Sequence, residues 1–201
     1  MFLKSPPELI LASTSKYRRE LLSRLGLPFV CAKPDIDESV QSGERAAALV
    51  TRLARQKASK VAADRPDAWV IGSDQAAVRL DAVDGETILG KPGSAATCIE
   101  QLRRCSGQTV TFLTAVAVVK NDGGLIEFTD TTRVMYRTLD NPTIERYVAH
   151  EMPFDCAGGF KSEALGIALC ESIHSVDPSA LIGLPLIRLA AALRTAGFAL
   201  P

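Results

Sequence analysis

Residues 9–19 read Leu9-Ile10-Leu11-Ala12-Ser13-Thr14-Ser15-Lys16-Tyr17-Arg18-Arg19. The apolar run Leu9 to Ala12 has the composition of a buried strand, and Leu21, Leu22 and Leu25 give the next segment a helical apolar stripe that ends at Gly26 and Pro28. Strand, hydroxyl-rich turn and helix in direct succession predict a β-turn-α unit. The charges opening its helix have the wrong sign. A helix N-terminus already carries roughly +0.5 of a charge, so Lys16, Arg18 and Arg19 in the first turn call for something anionic opposite them. Hydroxyls, free main-chain N–H groups and forked guanidinium donors together make a phosphate cradle. A serine-capped surface helix with solvated arginines is the other structure that these residues allow.

A chain of 201 residues with 47% hydrophobic content and no long Gly/Ser-rich or Pro-rich linker can bury one substantial core. One domain spanning residues 1–201 is expected. Lys plus Arg and Asp plus Glu each total 23 and aromatics are 5%, which argues against DNA or RNA as a partner and leaves room for a small anion at a local patch. Met1 to Pro7 lacks the apolar stretch of a secretory leader, and no apolar run approaches the roughly 20 residues of a membrane span. A cytoplasmic location without membrane contact is therefore expected. The cysteines, Cys31, Cys98, Cys105, Cys156 and Cys170, are odd in number and contain no CxxC pair, so reduced thiols are expected, with Cys98 and Cys105 on one helix face in the core.

Further along, Phe29 to Ala32 reads as a second strand, and Asp35, Asp37 and Glu38 form an acidic loop. Apolar residues at helical spacing predict a long amphipathic helix over 44–63. Trp69 to Gly72 reads as a buried strand ending in Ser73, Asp74 and Gln75, followed by a separate run from Ala76 to Leu80 and a turn at Asp84-Gly85. Gly90-Lys91-Pro92 precedes a helix over about 94–104, and Asn121-Asp122-Gly123-Gly124 joins long strands over 110–119 and 125–139 in a hairpin. Pro142 at a first helical position starts a helix to about His150, and Pro185 opens the last helix. The mixture of hairpins and crossovers predicts an α/β (mixed α+β) fold, with a central mixed β-sheet flanked by helices.

Asp74 is expected where its strand ends, the position at which open sheets place ligands, able to bind a cation or accept a proton from water. A turn aspartate bonded to the backbone fits the same local sequence. Glu38 offers a second hard oxygen of the kind magnesium uses alongside substrate phosphates. Lys57 falls on or beside the apolar face of its helix, where its ammonium either meets an anion or snorkels to water. Lys91 sits in a stiff loop that suits a ligand contact or a solvated turn. His150 and His174, at a helix end and in a loop, have no paired spacing and are expected at the surface, so neither a zinc site nor a Ser-His triad is supported.

These blocks, with Arg52-Leu53-Ala54, Lys57-Ala58, Ile71-Gly72-Ser73-Asp74-Gln75, Gly90-Lys91-Pro92, Cys156-Ala157-Gly158 and Leu181-Ile182-Gly183-Leu184-Pro185, resemble the Maf family of nucleotide pyrophosphatases along essentially the whole chain. The resemblance implies two lobes around a deep nucleotide cleft, as in inosine triphosphate pyrophosphatases. It further implies hydrolysis of a nucleoside triphosphate to monophosphate and pyrophosphate with a divalent metal cation, Mg2+ or Mn2+. On the matching positions, Asp74 is the proton acceptor, Glu38 a metal- or water-positioning carboxylate, and Asp74 and Glu38 the metal ligands. Ser13, Ser15, Arg18, Arg19, Lys57 and Lys91 become the triphosphate-binding set.

Tyr17, Gln75 and Glu163, within Phe160-Lys161-Ser162-Glu163, resemble the branch of the family acting on 7-methyl-GTP, while the dTTP/UTP branch carries arginine, threonine and glutamine there. A methylated guanine is cationic, so an aromatic face at Tyr17 and a carboxylate at Glu163 suit it. Lys16 replaces the usual proline of the turn. A dTTP/UTP pyrophosphatase is the alternative within the family. A regulatory inhibitor of septum formation acting through protein contacts is the alternative outside enzymology, and a homodimer is implied by resemblance alone.

Overall fold

The computed structural model describes residues 7–81 and 85–201. Residues 1–6 of the expected leaderless N-terminus, and Asp84 of the expected turn, lie outside the described residues. The opening unit folds as its sequence reads. Strand β1 (Leu9–Leu11) is buried, and α1 (Lys16–Ser23) begins behind Ser15, whose hydroxyl accepts from the Arg18 N–H. The helix stops short of Leu25, which packs beside the core from the following turn.

The remaining elements are β2 (Val30–Cys31), α2 (Ala46–Ala63), β3 (Trp69–Asp81), β4 (Gly85–Leu89), α3 (Ala95–Cys105), β5 (Thr109–Val119), β6 (Leu125–Tyr136), α4 (Asn141–Glu151), β7 (Cys170–His174) and α5 (Leu186–Thr195). Short 3-10 turns occupy Ala157–Gly159, Leu165–Leu169 and Ala180–Ile182. Strands β4 and β7 were not among the sequence expectations, and His174 ends β7 rather than lying in a loop. Both histidines are exposed.

The seven-stranded sheet has the order β2-β1-β3-β5-β6-β7, with β4 also on β3. It is mixed, because β1 runs parallel to β2 and β3 while every other pairing is antiparallel. The two runs expected around Asp74 are one strand. Strand β5 pairs continuously with β3 from Val70 to Arg79, so the backbone stays extended through Asp74. Asp74 therefore lies in mid-strand, a correction to its expected place at a strand end. Its opposite edge changes partner: β1 covers Trp69 to Ile71 and β4 covers Ala77 to Asp81. Between them the edge of β3 has no strand beside it, and the C-terminal end of β1 opens there.

Alternation along β3 sends Val70, Asp74, Ala76 and Val78 to the face covered by α2 and Ile71, Ser73, Gln75 and Ala77 to the other. On that second face two apolar clusters form. Ile71, Val116, Val118 and Phe128 pack with α1 and α5, while Ala77, Phe112, Val134 and Tyr136 pack with α3 and α4. The buried side chains of Ser73, Thr114, Asp130 and Thr132, joined by half-buried Gln75, cross the sheet between them. This polar belt divides the core and accounts for two lobes on one continuous sheet.

Candidate active site

The lobes meet at a cleft of about 720 Å³ whose wall includes Ser13, Arg18, Glu38, Lys57, Asp74 and Lys91. Its floor follows from a close helix-sheet approach. A Cβ placed on Gly72 would stand 2.1 Å from the Ala54 carbonyl oxygen and 2.7 Å from the Ala58 nitrogen. Only glycine admits the backbone of α2 this near the sheet, and Ala54 and Ala58 keep the contact flat. Lys57, on the same turn, is thereby pressed over β3 two residues beyond Gly72.

There Lys57 Nζ lies 2.6 Å from Asp74 Oδ1 and 3.1 Å from Glu38 Oε2. The Lys57 and Asp74 side chains are 6% and 12% exposed against 54% for Glu38, so the ammonium is buried with one anion and reaches a second at the mouth of the cleft. Snorkelling to water does not describe it. Of the acidic loop only Glu38 joins this cluster. Asp35 pairs with Lys33, and Asp37 turns back to accept from the Ser39 N–H and hydroxyl, which hold its carboxyl below the usual range.

Sequence reading missed what carries this loop. Arg52 on α2 forks onto Glu44 at 2.6 and 2.7 Å and also donates to the Ser39 carbonyl, tying residues 39–44 to the helix that bears Lys57. That bidentate bond draws the Glu44 carboxyl down to about 2. An arginine eight residues from a glutamate across a helix start carries no periodic signal.

On the opposite wall, Ser13 is buried and its hydroxyl oxygen accepts from the Ser15 N–H, as Ser15 does from Arg18. Both hydroxyl protons stay available. The Thr14, Lys16 and Tyr17 N–H groups have no protein acceptor among the described residues. Arg18 is half-buried and donates from Nε to the Gly183 carbonyl at 3.0 Å, which also accepts from buried Ser73. Burial lowers the Arg18 pKa, and Asp74 and Glu38 oppose that shift. Gly183, at φ 125°, presents this carbonyl from a segment whose anchors, Asp177 and Ser179, also lacked a sequence signal.

The other expected residues separate. Lys91 is exposed on the cleft wall. Arg19 is exposed and lines an adjoining cavity of about 250 Å³ that shares Ser13, Ser15 and Lys33 with the cleft wall. Gln75 spends its amide N–H groups on Thr114 and on the Ala180 and Leu181 carbonyls, so it clamps the 180–183 segment as well as facing the cleft. Tyr17 and exposed Glu163 line an adjoining cavity of about 100 Å³.

A divalent cation fits this donor set in one way. Among the described residues no group of three or more His, Cys, Asp or Glu could form a protein cage. Two cleft-lining carboxylates sharing one lysine instead each keep an oxygen outside the ion pair, a donor set small enough that magnesium would complete its shell with substrate phosphates and water.

The family described as Maf-like protein matches residues 8–196. Over 195 residues, 97% of this chain and 99% of the other, the sequence is 53% identical to a 7-methyl-GTP pyrophosphatase of Xanthomonas campestris pv. campestris (strain 8004). It is 55% identical over 196 residues, 96% of each chain, to a 7-methyl-GTP pyrophosphatase of Alkalilimnicola ehrlichii. The Staphylococcus aureus Ham1 protein overlays with a TM-score of 0.48 and 18% identity, across 65% of this chain and 72% of that one.

Proposed function

The chain belongs to the Maf family, and we propose that it hydrolyses 7-methyl-GTP to 7-methyl-GMP and pyrophosphate in the cleft between β1, α2 and β3. What carries the proposal is the Lys57–Asp74–Glu38 cluster standing across one cleft from the Ser13–Arg18 turn. Curated relatives at 53% and 55% identity over nearly the whole chain are 7-methyl-GTP pyrophosphatases.

In this reading the triphosphate lies on the Ser13 and Ser15 hydroxyls and the free N–H groups of the turn. Arg18 and Lys91 neutralise the charge that grows on the leaving pyrophosphate. Asp74 Oδ1 is held by Lys57, so Oδ2 takes the proton of the water that attacks the α-phosphorus. The bond from that phosphorus to the bridging oxygen breaks, and its electron pair leaves with pyrophosphate. Lys57 holds Asp74 in place, and no protein nucleophile is needed. Asp74 and Glu38 would hold a divalent cation, which supplies Lewis-acid stabilisation of phosphate charge and a more acidic water.

The test is release of pyrophosphate and monophosphate from 7-methyl-GTP, GTP, dTTP and UTP with and without magnesium or manganese, for the native chain and Asp74→Asn. Metal-dependent preference for 7-methyl-GTP, lost in a folded Asp74→Asn, is expected. Preference for dTTP or UTP would transfer the reading to the other branch of the family, and unchanged turnover in Asp74→Asn would remove that residue from the chemistry.

A further inference from the structure

We propose that Asp155, acting with the ring of Tyr17, selects a positively charged base; the inference rests on the reading of the cleft as a site for 7-methyl-GTP. Asp155 lines both the main cleft and the smaller adjoining cavity, at their junction, whereas Glu163 lines only the smaller one. Its carboxylate is exposed and accepts only a 3.5 Å contact from the Cys156 thiol, with no ion pair among the described residues. Glu163 already accepts from the Ser162 hydroxyl.

The ring beside it is a cation acceptor in this structure. Lys16 Nζ lies 4.9 Å from the Tyr17 centroid. The Tyr17 hydroxyl is buried beside Cys156, on the side of Asp155 and Glu163, and the side chain lines both the cleft and the adjoining cavity. Lys16 stands in for the cation that a ligand would bring, and a planar cationic ring entering the cleft displaces it toward the phosphates. Charge in the cleft is mixed: Lys57 is matched by Asp74 and Glu38, while Arg18 and Lys91 line the adjoining cavity together with Asp155, so a ligand there meets cations for a polyanion and a carboxylate for a cation. A nucleotide whose base is alkylated to a cation has both.

Asp155 is also held in place. The Gly93 N–H donates to the Phe154 carbonyl at 3.1 Å and the Gly158 N–H to the Gly90 carbonyl at 3.2 Å, so the segment bearing Asp155 is tied to the loop bearing Lys91. The Cys156 thiol between Asp155 and Tyr17 is pushed up to about 12, chiefly by burial, and adds no charge of its own.

Steady-state hydrolysis of 7-methyl-GTP and GTP is compared for the native chain, Asp155→Asn, Asp155→Glu and Glu163→Gln, with equilibrium dialysis of 7-methyl-GMP and GMP alongside. Asp155→Asn is expected to lower the 7-methyl-GTP/GTP ratio of kcat/KM about fivefold, through KM, the upper size of one exposed charge contact. Asp155→Glu should restore most of it, and Glu163→Gln should lower it less. An unchanged ratio in Asp155→Asn, or a fall in kcat that spares the ratio, overturns the proposal. If the native chain hydrolyses neither nucleotide yet holds 7-methyl-GMP more tightly than GMP, the catalytic reading fails alone and the dialysis ratio judges Asp155. Equal binding of the two monophosphates by the native chain also overturns it.

Discussion

Lys57 Nζ on α2 and Asp74 Oδ1 in mid-β3 meet at 2.6 Å across a helix-sheet contact that only Gly72 permits. The pair joins packing to chemistry, because the small residues that let the helix settle on the sheet also decide where the ammonium falls.

Gly72→Ala should therefore damage stability and turnover together. The new methyl would meet the Ala54 backbone oxygen, which no side-chain rotation can move, and overpacking of this kind costs about 1–3 kcal/mol. Thermal unfolding and kcat report the two effects. A Tm within a degree or so of the native value with unaltered kcat would refute the link.

Breaking the pair from one side should cost more than removing it whole. Lys57→Met leaves a nearly buried carboxylate without its main partner, a loss of about 3–5 kcal/mol for such pairs. Lys57→Met combined with Asp74→Asn should be more stable than Lys57→Met alone, as denaturant unfolding of both singles and the double would reveal. A simple sum of the single effects would mean that the two groups are not coupled.

Ser73→Ala tests the positioning of Arg18. Both side chains donate to the Gly183 carbonyl, and loss of one such bond is worth about 1 kcal/mol, or about fivefold. Because Arg18 meets charge that grows only as pyrophosphate leaves, the expected result is a kcat and kcat/KM lowered together by about that factor. A KM raised at constant kcat would mean that the bond serves ground-state binding instead.

Asp130 gives the protein a pH dependence of predictable sign. It is buried in the polar belt with Oδ1 unpartnered, and burial, then the nearby charge of Asp177, raise its pKa, with Arg188 and the Thr131 N–H opposing. The folded chain thus binds this proton more tightly than the unfolded chain, so its contribution to stability is full below the unfolded value of about 3.9 and is lost as pH rises through the folded value. Asp130→Asn should raise Tm at pH 7 and gain little at pH 3. A gain of equal size at both would assign the effect to something other than ionisation.

Alkylation should discriminate among the thiols. Cys31 is exposed, whereas burial pushes Cys98 and Cys170 up to about 11 and Cys105 up to about 12, with Cys156 as high. Since the thiolate is the reactive form, brief iodoacetamide treatment of the native chain at pH 7.5, a pH about one unit below the free-thiol pKa, should label Cys31 first. Mass spectrometry showing Cys156 modified as fast would contradict the burial of that thiol.

Local sequence determined the opening unit, because strand, cap and helix stripe are properties of neighbours: Leu9 to Leu11, Ser15 and the pair Leu21 and Leu22 fall where periodicity and capping put them. It also marked Lys57 as a charge on an apolar face and gathered the hydroxyls and cations of residues 13–18. Tertiary structure alone decided what those groups meet. The apolar run Trp69 to Gly72 stops at Ser73, which places Asp74 at a strand end by sequence, yet continuous pairing with β5 keeps it extended, and the change from β1 to β4 on its other edge opens the cleft. Arg18 finds its acceptor 165 residues away and Ser73 finds the same one 110 residues away, separations that no window of sequence spans. Arg19, beside Arg18 in sequence, is carried to another cavity by the helical turn of about 100° per residue. A charge declares its need for a partner in the sequence, but its partner is chosen by how the strands pair.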